Sequence, residues 1–204
     1  MTSRKILSVM AALALLAIAA VANAGIISPA DSYATMANSP GVMTIAPGGY
    51  DSFVFPIDHT IDVWTLDELL NPVEVLATDI WLDDPLVVWC AGGVIADSST
   101  FAPGIGHTTF TGTPRGGVDG TGDCSTIAMN VVALGNVIQT LDLGIDSMDL
   151  NGDGSVTVAD FGVFAGMYQQ DNECANFDES NVSPTVDIAD FAIFAGVYNI
   201  SDCP

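Results

Sequence analysis

The sequence predicts a mainly β protein that ends in a small helical domain. Three observations predict it. About seven short runs rich in β-branched and aromatic residues fill residues 53–143, separated by turn clusters. A segment over 156–168 recurs at 186–198 with the spacing of an amphipathic helix. Between these regions the stretch DLNGDG (149–154) crowds two aspartates, an asparagine and two glycines into six residues, just ahead of the first helical run. Carboxylates that close repel one another unless a cation sits among them.

The elements follow in chain order. Arg4 and Lys5 precede the apolar run ILSVMAALALLAIAAVA, which ends at the small residues Ala22, Asn23 and Ala24. A short basic region, an apolar core and an A-x-A site mark a secretory signal peptide. An uncleaved membrane anchor is the alternative, but the run is short for a bilayer span. The expectation is therefore a signal peptide over 1–24, mature chain from Gly25, and a secreted or cell-surface protein with no membrane span after cleavage.

The chain carries 25 Asp plus Glu against three Lys plus Arg. Loss of residues 1–24 would leave Arg115 as the one Arg or Lys. That balance excludes a nucleic-acid binder, which needs Lys and Arg for phosphate contact. It equally opposes docking on anionic lipid. The four cysteines suit an oxidising, exported setting. Three pairings are possible, and the most economical joins Cys90 to Cys124 and Cys174 to Cys203. No C-x-x-C occurs, and His59 and His107 are far from the cysteines in sequence, so no zinc site is expected.

Residues 25–50 are rich in Pro, Gly, Ser and Ala and read as an N-terminal lead-in, loose or holding one edge strand. The β region, 51–144, follows. Its runs are SFVFPI, TIDVWTL, VEVLATDIWL, LVVWC, HTTFTGT, TIAMNVVAL and VIQTLDL. In TIDVWTL, Ile61 and Val63 alternate with Asp62, as in a half-buried strand. LGN (134–136) between two runs predicts a hairpin turn. Trp89 beside Cys90 reads as an ordinary buried aromatic. Seven short strands in about ninety residues predict a β-sandwich. With its turn at Asn71-Pro72 in TIDVWTLDELLNPVEV and its glycine turn into a Thr-rich strand in GIGHTTFTG, the region resembles the immunoglobulin-like domains of bacterial surface proteins of the invasin or adhesin kind.

The tail, 145–204, is a tandem repeat offset by thirty residues: VTVADFGVFAGMY lies over VDIADFAIFAGVY. Phe161, Phe164, Ala165 and Tyr168 fall at i, i+3, i+4 and i+7, and are expected to form the buried stripe of the first helix. Ahead of it, oxygen donors recur from Asp149 as position one. Asn151 and Asp153 stand at three and five, Gly154 at six, Ser155 at seven with its carbonyl, Thr157 at nine and Asp160 at twelve. Alternating oxygens around a sharp glycine turn are the pattern of an EF-hand calcium loop. Thr157 and Asp160 also have the spacing of a helical capping box, but capping leaves the donors at one, three and five unaccounted for. The second loop, counted from Asp178, holds thirteen residues, one more than the first. It offers Asp178, Ser180, Asp187 and Asp190, lacks the glycine turn, and places Val182 and Pro184 among the donor positions. Asp187 and Asp190 are ligand candidates that could equally cap the second helix.

Two such loops, each leading straight into one helix, resemble the dockerin module, on DLNGDGSVTVADFGVFAGMY and DESNVSPTVDIADFAIFAGVY. The resemblance implies calcium-dependent folding and docking onto a cohesin domain or similar partner, which attaches the chain to an extracellular assembly, often one that degrades polysaccharide. Where that family often carries Ser or Thr for partner contact, this chain has Val158, Ala159, Ile188 and Ala189, and its helices hold no basic residue. The reading is a non-catalytic, calcium-binding exported protein. The alternatives are a surface adhesin or surface-layer component with structural calcium, and, third, a glycoside hydrolase. Neither H-E-x-x-H nor G-x-S-x-G occurs, and carboxylate pairs such as Asp67-Glu68 and Asp83-Asp84 arise readily by chance in so acidic a chain.

Overall fold

A computed structural model of the chain describes residues 26–90, 94–100, 106–118, 128–178 and 185–200. The expected signal segment, Ser180, Cys124 and Cys203 lie outside them. Neither Cys90 nor Cys174 is a free thiol, but each expected pairing has one end outside the described residues. Among the described residues no helix is long and apolar enough to cross a membrane.

The protein is strand-rich with two helices. Its strands are β1 (Tyr33–Met36), β2 (Gly41–Ile45), β3 (Ile61–Trp64), β4 (Ile80–Asp83), β5 (Val87–Trp89), β6 (His107–Phe110), β7 (Gly116–Val118), β8 (Ala128–Ala133) and β9 (Asn136–Ser147). The helices are α1 (Val158–Met167) and α2 (Ile188–Gly196). One sheet runs β1-β3-β6, all antiparallel, and a second runs β2-β9-β8-β4, in which β2 is parallel to β9. A third pairs β5 with β7. The two larger sheets share one core, with Ile61, Val63 and Phe110 from the first and Met43, Ile45, Leu82, Met129, Leu143 and Ile145 from the second.

Local pattern explains several elements. Ile61 and Val63 are buried while Asp62 and Trp64 are not, so β3 alternates as its sequence predicts. The β8–β9 hairpin turns at Leu134 and Gly135, both at positive φ, with Ala133 paired to Asn136. Two positive-φ residues match the right-handed twist of the flanking strands. Around Asp67, the carboxylate accepts hydrogen bonds from the N–H groups of Leu69 and Asn71, which makes the turn expected at Asn71-Pro72.

Other elements depart from expectation. Residues 25–50 supply two edge strands rather than a loose lead-in or one strand. β1 pairs with β3 at Tyr33↔Trp64, and β2 with β9 at Met43↔Ile145. SFVFPI forms only a bridge between Ser52 and Phe55. In VEVLATDIWL, Val73 and Val75 are buried, yet their backbones bond to Thr65 and the Thr100 hydroxyl, and the strand begins only at Ile80. β7, with two glycines, carries no pattern that periodicity could detect. Trp89 is half-buried against the main core.

β9 links the sheets to the helical tail. Its first half pairs with β8 and its last five residues pair with β2. It then runs into the acidic loop, with the Asp149 N–H donating to the Ser147 hydroxyl at 3.1 Å.

A second core forms around the repeat: Phe164, Phe177, Phe194, Val156, Val186, Met148, Leu150 and, from beyond β2, Ala46. The Phe164 ring stacks on Phe194 at 5.2 Å between centroids and on Phe177 at 6.1 Å. The repeat is also reciprocal in its backbone. Val156 bonds to Asn199 and Ile200 after α2, and Val186 bonds to Gln169 and Gln170 after α1. Gln169 and Asn199, thirty apart, both take positive φ where their helices end.

The buried stripe is rotated from the one expected. Phe164 is buried, but Phe161 is 40 % exposed, Tyr168 37 %, and Ala165 is also exposed. The inward face instead runs through Asp160, Val163, Phe164 and Met167. Asp160 sets this phase. Its carboxylate turns into the loop and bonds there, so the residues three, four and seven further on face inward with it.

Candidate metal centre

The first loop winds around the carboxylate of Asp149, which is completely buried. Asp149 Oδ2 accepts from the Gly154 N–H at 2.7 Å and Oδ1 from the Asp153 N–H at 3.1 Å. Asn151 Oδ1 also accepts from the Asp153 N–H, at 2.9 Å, and Asp153 Oδ1 from the Ser155 N–H, at 3.0 Å. Gly154 has φ +86°, a left-handed geometry that costs glycine little and others more. From the helix side, Asp160 Oδ1 accepts from the Asn151 N–H at 3.1 Å and Oδ2 from the Thr157 N–H at 2.7 Å. The Thr157 hydroxyl caps α1 by accepting from the Ala159 N–H. The capping box and the loop closure therefore coexist in the same two residues.

Three acids converge as a result. One carboxylate oxygen each from Asp149, Asp153 and Asp160 lies within 4.8 Å of the others. Asp149 and Asp160 are buried and Asp153 is exposed. Burial pushes the Asp149 carboxyl up to about 6. The Gly154 and Asp153 N–H groups pull it down, while the charges of Asp160 and Asp153 add to the rise. Hard oxygen donors gathered at one point around a glycine turn fit a hard cation such as calcium. Asn151, Ser155 and Thr157 lie on the same loop, and Asn151 and Thr157 also take part in its hydrogen bonds.

The second loop takes a different register from the one its sequence predicts. Asp190, buried, accepts from the Asp178 N–H at 3.1 Å through Oδ1 and from the Asp187 N–H at 2.8 Å through Oδ2. These bonds repeat those of Asp160 to Asn151 and Thr157. Asp178 therefore stands where Asn151 does, at position three rather than one. Phe177, buried like Leu150, agrees. Position one falls to Asn176, whose Oδ1 is buried with no hydrogen-bond partner among the described residues. The loop is fifteen residues, 176–190, against twelve in 149–160. An amide side chain two residues before the first acid was the missed signal. Asp187 caps α2 through the Ala189 N–H at 2.7 Å. Among the described residues the only convergent group of three His, Cys, Asp or Glu side chains is that of the first loop.

No family model matches the chain, and no curated protein and no solved structure matches it either.

Proposed function

We propose that this is an exported, non-catalytic protein whose C-terminal region, 145–204, is a dockerin-like module that binds calcium and attaches the chain to a partner protein or extracellular assembly. The observation that carries the reading is the convergence of Asp149, Asp153 and Asp160 within 4.8 Å around the Gly154 turn. The reciprocal, twice-repeated loop-helix packing supports the dockerin-like part. Two sheets closing one core support an immunoglobulin-like β-domain ahead of it, with the parallel β2–β9 pair as its departure from an all-antiparallel sandwich.

Asp149, Asn151, Asp153, Thr157 and Asp160 would hold the ion with the Ser155 carbonyl, and calcium would supply the positive charge that the three carboxylates lack. In the second loop Asn176, Asp178, Ser180, Asp187 and Asp190 would be the weaker set. Val158 (70 % exposed) and Ile188 (66 %) occupy matching places at the two helix starts. Their apolar side chains fit a partner with an apolar docking face better than a polar one. The lack of Ser, Thr or basic residues at these helix starts favours the second reading, structural calcium in a surface adhesin. Pull-down with cohesin domains separates the two.

Calorimetric titration of the whole chain with calcium tests the core of the proposal. At least one ion should bind per chain, and absence of any heat or melting shift would overturn it. The pH dependence has a defined sign. Calcium needs Asp149 ionised, so apparent affinity should be flat above about pH 6 and fall by about tenfold per pH unit below it. Without calcium the trend reverses. The folded-state value is raised above the unfolded one, so this group makes the calcium-free chain more stable as pH falls from about 6 towards 4. Melting curves over pH 4–7, with calcium and with chelator, read both slopes.

A further inference from the structure

We propose that Gly117, on β7, is a positioning residue for the first acidic loop, and that its missing side chain couples ion binding there to the seating of the helical region on the sheets. The coupling to calcium rests on the proposed calcium-binding function; the steric contact does not.

A Cβ built on Gly117 would collide with Asp149 Oδ2 and would lie 2.9 Å from its Cγ and 3.1 Å from its Cβ. Gly117 has no left-handed φ. Its value is therefore the space it leaves rather than the conformation it allows. β7 is held in place by its pairing with β5, with Val88 opposite Gly117, and by the Gly116 N–H donating to the Ala46 carbonyl at 3.3 Å. Asp149 in turn follows closely on β9, which is fixed by β2 through Ile45↔Ser147 and by the Met148 N–H on the Ile45 carbonyl at 3.1 Å. The carboxylate thus lies against β7, which is tied through Ala46 to the end of β2 and so to β9.

A second contact joins the same parts. A Cβ on Gly48 would meet Ile200 Cγ2 at 2.7 Å. The Ile200 carbonyl accepts from the Val156 N–H of the loop at 2.9 Å. Ala46, two residues before Gly48, is completely buried in the helical core. The loop that gathers the three acids is therefore walled on one side by the β-domain. An ion that draws Asp149, Asp153 and Asp160 together would tighten that wall, and a displaced wall would spoil the loop.

The test uses the full chain in four forms: parent, Gly117→Ala, Asp149→Ala and the double variant. Gly112→Ala, whose new methyl meets nothing within 4 Å, is the control. Gly117→Ala should weaken calcium binding by about 10–100-fold, the usual cost of disturbing the surroundings of a metal ligand, and Gly112→Ala should not. In chelator, Gly117→Ala should lower the melting temperature when Asp149 is present and much less when residue 149 is alanine, because the clash is with the carboxylate. If Gly117→Ala does not fold, the double variant should regain the fold, and its failure to do so overturns the proposal. Parent-like calcium binding by Gly117→Ala overturns the coupling alone. Additive melting effects of the two substitutions overturn the contact. A parent that binds no calcium overturns the calcium reading and the coupling with it, while the chelator cycle still decides the contact.

Discussion

Replacing Asp149 or Asp160 with alanine will each abolish the calcium response of the chain. In the parent, calcium should raise the melting temperature over that in chelator. An ion that binds only the folded form adds RT ln(1 + [L]/Kd), about 2.7 kcal/mol at a hundredfold excess over Kd. Against a total stability of about 5–15 kcal/mol for a domain, that is a large share. Neither acid has a substitute. Asp149 is the one around which the Asp153 and Gly154 N–H groups close, and Asp160 holds the Asn151 and Thr157 N–H groups from the helix start. Asp160→Ala should cost more in chelator as well, since it also removes half of the capping box of α1. Asp153→Ala, at an exposed position, should weaken calcium binding while leaving the chelator melting temperature nearly unchanged. An Asp149→Ala chain whose melting still rises with calcium as the parent's does would refute the metal centre.

The second large effect is expected from Phe164→Ala, which should cost about 3–5 kcal/mol, as large-to-small aromatic truncation in a core does. Phe164 is fully buried and touches Phe177, Phe191, Phe194 and Tyr168. Among the described residues its ring meets both the second helix and the segment between the helices. A cluster of this size has little else to collapse into the cavity. Phe161→Ala, three residues earlier on the half-exposed flank, should cost well under half as much. Urea denaturation of the full chain in excess calcium measures both. Equal losses for the two phenylalanines would mean that the inward face of α1 is the one its periodicity first indicates, through Phe161, rather than the one set by Asp160.

That rotation shows where periodicity stops being sufficient. Phe161, Phe164, Ala165 and Tyr168 make as good a stripe as Asp160, Val163, Phe164 and Met167 does, and hydrophobicity prefers the first. A helix counted by apolar residues alone cannot register that an acid must face inward. The second loop misleads for a related reason. A count that must open on an acid starts at Asp178 and gives thirteen residues, but three inserted residues move the start to the neutral Asn176. The bond from the Asp178 N–H to Asp190 reveals it, and the burial of Phe177 agrees.

Some features were fully local and therefore legible. The converging acids of the first loop, the glycine turn beside them, the thirty-residue repeat, both helices, the β8–β9 hairpin and the alternation in β3 are all written in the spacing of residues along the chain. What the tertiary structure alone decided is contact between distant segments. Tyr33 against Trp64, Met43 beside Ile145, and Gly117 under Asp149 are separated by about 30 to 100 residues. Strand pairing is carried by backbone groups that every residue except proline possesses, so the partner of an edge strand leaves little trace in its composition. A glycine chosen for the space beside it, rather than for its own dihedrals, leaves none until the carboxylate that fills the space is seen.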